Sequence, residues 1–309
     1  MPKIKVFFYG FLTNTDSSIL KVKLKHGFKI ESKSLNEIEK FIETVDNVSI
    51  NEASMIFTRD FPFYNRKENK VFFISNSFDI EIRDEKEFNI QRHILTNAYH
   101  NKFIDGYLEN TIRIMRLFKE GNIYMPLFYY FFIKDKMPKK ISSLLYKIHV
   151  SEDSIFKLSN PEIKDLEKFI EDVDIPFENK SLKLAFDSFE MSYHMPPPLS
   201  ISFLLLMISM ESLFNPSNTG ELRFRISRNS AVLIGKDKDD SKCIWKSMKN
   251  LYDKRCDMVH TGKFSHITKS DLLILRDYVR RSIKKFYKIG KSKKEILEML
   301  NEIGFGEKL

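Results

Sequence analysis

The 309-residue chain is poor in the residues that build covalent frameworks and loops. It has two cysteines, Cys243 and Cys256, ten glycines, ten prolines and one tryptophan. Two thiols cannot make a disulfide scaffold or a four-cysteine zinc site. So few glycines and prolines, with no low-complexity tract, exclude collagen-like and linker-dominated classes. Long apolar runs are also missing. Leu199–Met210 and Tyr124–Ile133 are the longest, and both fall short of the ~18–20 residues that span a bilayer. The opening MPKIKVFFYGFLTN lacks an Ala-x-Ala-like cleavage site, so it reads as part of the fold rather than as a signal peptide. A soluble, cytoplasmic protein with no membrane contact is expected.

What is present suffices for real cores, since 42% of residues are apolar. The length favours two domains over one. The formal net charge is +9, from 51 basic and 42 acidic residues. All of that excess lies in the last fifth of the chain, with 17 basic against 8 acidic residues after position 240 and 34 against 34 before it. Such asymmetry points to a polyanion partner for the carboxy-terminal part. A lysine-rich, solvated helix face is the alternative.

The first 150 residues mix strand and helix signals. Ile4–Leu12 and Ile19–Ile30 are rich in β-branched and aromatic residues, and Val71–Ile82 resembles a strand pair broken at Ser75-Asn76-Ser77. Ser34–Val45 reads as a helix, with Ser34 and Glu37 forming a capping box ahead of one apolar stripe. Phe103–Phe118 predicts a second helix and Ile123–Ile133 an aromatic strand. His93 and His100 could share a helix face, but no acidic or cysteine partner stands at ligand spacing, so both are read as surface or packing residues.

Beyond about Asn160 the pattern is helical throughout. The expected helices are Pro161–Val173, Ser181–His194, Leu199–Phe214, one from about Glu221 to Gly235, Asp239–His260 closed by Gly262, Ser270–Tyr287 and Lys293–Ile303. The fold expectation is therefore α+β: a mixed domain over 1–150, a linker over 151–160, and a helical bundle over 161–309. The Ser270–Tyr287 helix presents Arg276, Arg280, Arg281, Lys284, Lys285 and Lys288 on what reads as its outward face. Together with Lys254 and Lys263, residues Arg276, Arg280 and Lys284 form a candidate RNA-backbone track, though no aromatic residue interleaves with the stripe for base stacking.

One segment carries candidate chemistry: Leu251-Tyr252-Asp253-Lys254-Arg255-Cys256-Asp257-Met258-Val259-His260-Thr261-Gly262. Arg255 offers a fixed cation and His260 a titratable base, and the carbonyl end of a helix favours the imidazolium form. Five residues of helix turn through about 500°, so the two side chains lie about 140° apart and share no narrow face. From spacing alone the plainer reading stays open, with His260 finishing a helix and Arg255 paired with Asp253 or Asp257.

The segment resembles the Arg-x4-His signature of HEPN-domain ribonucleases, and the likeness extends to its surroundings. Ser209-Met210-Glu211-Ser212-Leu213-Phe214 looks like the Glu-containing end of that family's central apolar helix. Glu221-Leu222 followed by Ile226-Ser227-Arg228-Asn229-Ser230-Ala231-Val232-Leu233 is similar to a helix of the ApeA-like branch. Leu182–Tyr193, with Ala185 and Phe189, fits the branch's preceding helix. The resemblance covers roughly residues 160–290 and none of the first 150.

The resemblance implies a homodimeric endoribonuclease that needs no metal or other cofactor and has the Arg–His pairs of both protomers lining one cleft. His260 would move the proton of the ribose 2′-OH or supply one to the 5′-oxygen, and Arg255 would stabilise the charge on the phosphorane. Products would carry 2′,3′-cyclic phosphate and 5′-OH ends. Glu211 would be held by Arg255 or Arg228, with a solvent-facing Glu211 as the alternative, and Tyr252 would support the pair. The chain departs from the family where a polar residue usually follows the Arg. Cys256 stands there, and Asp257, one residue later, is the substitute catalytic candidate. The implied partners are RNA, with tRNA one candidate, a second copy of the chain, and either a phage-derived trigger or an antitoxin. A catalytically silent RNA- or protein-binding module is the competing reading, and a toxin of a toxin–antitoxin pair a third.

Overall fold

The computed structural model describes residues 3–55, 64–81, 96–145, 154–194, 199–215, 220–262 and 266–303. It separates into two units, Met1–Asp174 and Ile175–Leu309. The first is built on a sheet and the second from helices, an α+β architecture.

The sheet contains β1 (Lys3–Thr13), β2 (Lys29–Ser34), β3 (Tyr64–Asn65), β4 (Lys70–Glu81), β5 (Tyr124–Lys134) and β6 (Met137–Leu145). Its order is β2-β4-β1-β5-β6, with β3 paired to β4 and every pairing antiparallel. Strand β1 is central, with Phe8 opposite Asn76 on one side and Tyr130 on the other. Its alternation sends Val6 and Phe8 into one core and Phe11 into another. Helix α1 (Leu35–Asp46) covers the Phe11 face through Ile38, Ile42 and Val45. The opposite face is covered by Leu108, Ile112 and Met115, from the π-helical turn His100–Leu108 and the helix α3 (Glu109–Phe118) that continues it. A short α2 (Ile50–Met55) adds Ala53 to the Phe11 core. With both faces covered, the central strands β1 and β5 carry long apolar runs instead of a clean alternation, whereas the edge strands β2 and β6 are more polar.

The expected capping box is formed: the Ser34 hydroxyl accepts from the Glu37 N–H, and the Glu37 carboxylate accepts from the Ser34 N–H. Other local expectations are corrected. Most of Ile19–Ile30 is not strand. Asp16 caps a 3-10 turn over Ser17–Lys21, and the chain reverses through left-handed His26 and Gly27 before β2 starts. Strand β4 runs unbroken through Ser75-Asn76-Ser77, because Asn76 keeps its register while its amide donates sideways to the Tyr99 hydroxyl and the His26 carbonyl. Strand β6 had no sequence signal of its own. It folds back on β5 through Asp135 and Lys136, both at positive φ, as a two-residue hairpin requires. His100 is a packing residue whose ring lies tilted against Phe128, and it does have an acidic partner. Its Nε2 lies 3.0 Å from Asp105, five residues on, a neighbour that the π-helical i→i+5 spacing provides. His93 lies outside the described residues.

The domain boundary falls later than the sequence suggested. Phe156 pairs with Thr15 and donates its N–H to the Asn14 carbonyl, and the Leu158 N–H reaches the Ser18 hydroxyl. The described part of the expected linker, 154–159, is thus stitched into the sheet unit. Helix α4 (Asn160–Asp172) belongs there too, with Ile163 and Leu166 in its core and Phe169 against Phe118. The carboxy-terminal unit consists of α5 (Lys180–Met191), α6 (Leu199–Phe214), α7 (Leu222–Ile234), α8 (Lys238–Thr261), α9 (Lys269–Ile289) and α10 (Lys293–Ile303). These bounds lie within a few residues of the periodicity-based expectations. Among the described residues no helix is long and apolar enough to cross a membrane.

Gly121 ties the stitched segment down. Its φ is +156°, and an added Cβ would lie 2.5 Å from the Phe156 Cα. Gly121→Ala should therefore destabilise the protein by about 2 kcal/mol or more in urea unfolding. Gly106→Ala, where a Cβ meets its nearest neighbour at 3.6 Å, should be neutral or slightly stabilising.

Candidate active site

Helix α6 is apolar around its whole circumference, and Glu211 is its one charged residue. A carboxylate in that setting needs a cation. Helix α8 supplies it. Ile244, Met248, Leu251 and Met258 bury one face of α8, and Arg255 stands beside that face with its Nε 3.2 Å from Glu211 Oε1. That oxygen is shut off from solvent and receives no directed hydrogen bond, so the attraction is Coulombic. Both side chains are three-quarters or more buried, at 25% and 21% exposure. Tyr252 lies one turn before Arg255, with its ring centre 5.7 Å from the guanidinium. Burial, and then the Glu211 charge, push the Tyr252 phenol above its ordinary value, while Arg255 pulls the other way. Cys256 is half-buried nearby and raises it further.

Arg255 therefore pairs with Glu211, as the resemblance implied, and not with Asp253 or Asp257. Asp253 holds Arg223 of α7 at 2.5 Å on the surface. Arg228 is not the counterion either, since its Nη1 donates to Asn229 at 2.9 Å. Asp257 is exposed, and its carbonyl accepts from the Thr261 hydroxyl at 2.6 Å.

His260 sits in the last turn of α8, ahead of Gly262, whose φ of +68° closes the helix. It is exposed and forms no hydrogen bond or ion pair among the described residues. One protomer does not bring Arg255 and His260 together. Along the helix they are separated by about 7.5 Å and by about 140° of rotation.

The candidate RNA track is corrected. Lys254 is committed to Asp271 of α9 at 2.6 Å, where Asp271 also closes the Thr268 capping box. Burial alone would raise the Asp271 carboxyl, but the bonds from Lys254 and Thr268 hold it below the usual carboxylate range. Arg276 and Arg280 point inward. Arg276 lies 4.0 Å over the Tyr193 ring and donates to the Ser192 carbonyl, while Arg280 donates to the Tyr193 hydroxyl at 2.9 Å. The reason is rotational: each follows an apolar residue, Leu275 or Val279, and so flanks the buried stripe where α5 and its aromatic end pack. Stem and planar guanidinium suit such a flank. Lys284 is largely buried as well, and Lys263 lies outside the described residues.

Sequence reasoning missed a cleft of about 460 Å³ beside Glu211, with Lys180 of α5 and Lys293 of α10 on its wall. These residues are far apart in sequence and belong to no motif. Among the described residues, no three His, Cys, Asp or Glu side chains converge as metal ligands would.

Burial, with Arg280 adding to it, pushes the Lys284 ammonium down to about 8. Below that pH both folded and unfolded chains carry the charge, and the fold bears its full desolvation cost. Between about 8 and the ordinary lysine value of 10.5 only the unfolded chain keeps the proton, so stability rises with pH there. Lys284→Met should stabilise the protein by ~2 kcal/mol at pH 7, and the advantage should fade by pH 10.5 in paired thermal melts. Comparison of the chain with protein-family models, curated proteins and solved structures finds no match.

Proposed function

We propose that the protein is an endoribonuclease of the HEPN type that cleaves cytoplasmic RNA without a metal. The Glu211–Arg255 pair under Tyr252, one helix end away from an exposed His260, carries this reading. RNA supplies its own nucleophile, so the chemistry asks only for proton transfer and charge stabilisation. The 2′-oxygen forms a bond to phosphorus as its proton passes to one His260. The bond from phosphorus to the 5′-oxygen then breaks, and that oxygen takes a proton from a second imidazolium. Arg255, oriented by Glu211, faces the negative charge that builds on the non-bridging oxygens. The products are a 2′,3′-cyclic phosphate and a 5′-OH end.

Two imidazoles in one cleft require two chains, and an exposed apolar face supports a homodimer. Leu184, Met191, Ile201 and Ile208 are each 41–52% exposed on α5 and α6. We assign that face to a second copy, and to the sheet unit the regulatory role, whether its trigger is phage-derived or an antitoxin. A non-cleaving RNA-binding module is the second reading, favoured by Cys256 in the position after Arg255.

With total cellular RNA in EDTA, wild type should yield discrete fragments ending in cyclic phosphate, and His260→Ala should cut at least ~10²-fold more slowly. Equal cutting by both would remove His260 from the reaction. Intact RNA with wild type under every trigger tried would favour the binding module. Ile201→Glu should convert a dimer to a folded monomer by light scattering and abolish cutting. An unchanged dimer would place the interface elsewhere.

A further inference from the structure

We propose that Trp245 is a stacking platform for a base of single-stranded RNA, with Lys249 holding a phosphate of the same strand, about 22 Å along α8 from His260. This rests on RNA being the substrate and adds a contact that the Arg255–His260 signature does not contain.

Trp245 is the one tryptophan of the chain and is 38% exposed on α8. An exposed apolar side chain standing alone needs no explanation, but this ring has a cation on it: the Lys249 ammonium lies 4.5 Å from its centre. Among the described residues Lys249 has no carboxylate partner, and neither has Lys246, exposed beside the ring. Single strands are held by this combination, because every base has a π face to lay on a ring and a phosphate for the cation. A cation over an exposed ring is held weakly, so the ammonium can yield the ring to a base and turn to its phosphate. Lys242, Lys246 and Lys249 flank the ring at the surface of α8, whereas the centre of a protein interface is apolar and poor in lysine. The acidic residues of the helix leave Lys246 and Lys249 uncompensated. Asp239 lies 3.5 Å from Lys242, Asp240 3.1 Å from Arg281 and Asp253 2.5 Å from Arg223, and Asp257 is about 120° around the axis from Trp245.

Helix geometry aligns the platform with the candidate catalytic residue. Trp245, Lys249, Cys256 and His260 follow at intervals of four, seven and four residues, within about 60° of rotation. All four are exposed or half-buried. Tyr252, on the inner edge of this stripe, is buried beside Arg255. A stacked strand rising ~3.4 Å per nucleotide spans the distance from the ring to His260 in about seven nucleotides.

A single tryptophan makes the platform its own reporter. The test uses the full-length protein and a single-stranded 2′-O-methyl RNA 12-mer, which cannot be cut. Indole emission is read with unlabelled strand and anisotropy with a fluorescein-labelled one, from ~50 to ~200 mM salt. Wild-type emission should be quenched along the same saturation curve as the anisotropy, and added salt should restore it. Trp245→Ala should bind at least ~5-fold more weakly, Trp245→Phe should recover most of that loss, and both should keep the wild-type thermal midpoint. Lys249→Gln should lower the salt slope by about 0.7, as expected for one lost contact to a single strand. Binding without quenching, with wild-type affinity in Trp245→Ala, would overturn the proposal and leave the ring to a protein partner. Failure of wild type to bind at any salt would overturn it too. Cutting assays separate this from the nuclease reading. A Trp245→Ala protein that binds and cuts like wild type sinks the platform alone, while quenching and Trp245-dependent binding without any cutting sink catalysis alone.

Discussion

A carboxylate on a helix with no other charged residue has to meet a cation, and this requirement organises the carboxy-terminal unit around Glu211 and Arg255. The pair joins α8 to α6 beside the buried face that Ile244, Met248, Leu251 and Met258 form. Once Arg255 is held there, helix geometry sends a residue five positions later about 140° away, and His260 emerges into solvent at the end of the same helix. Removing one partner of a fully buried pair costs about 3–5 kcal/mol, because the other charge is stranded. Here a fifth to a quarter of each side chain still meets water, so the penalty is smaller and the pair can hold a guanidinium in place without sealing it from a ligand.

Much of this was legible locally. The Ser34–Glu37 box, the bounds of α6 and the Gly262 stop follow from residues within a turn of one another, where propensity and capping act. Glu211 was legible because an acidic side chain amid Met207, Met210 and Leu213 demands a partner, and the resemblance offered Arg255 or Arg228 for it. Features that depend on a neighbour were not legible. The π-helical turn that brings His100 to Asp105 leaves no compositional trace, and residues 154–159 look like a linker until Asn14 and Ser18 accept their backbone. The inward Arg276 and Arg280 mislead for a different reason. A 3.6-residue pattern finds the centre of a buried stripe, but the width of that stripe depends on what packs beside it, and Tyr193 and Phe189 widen it.

That misreading bears on how the positive charge works. Arg280 has Asp277 at 3.6 Å as well as the Tyr193 hydroxyl, and Arg276 lies over the Tyr193 ring. What burial removes is contact: neither guanidinium can reach a phosphate. The net charge of +9 therefore overstates how many cations a ligand can touch. At the candidate site Arg255 is the cation that stays partly open to solvent, with a quarter of its side chain exposed. The helical packing, more than the amount of charge, therefore decides which cations are accessible.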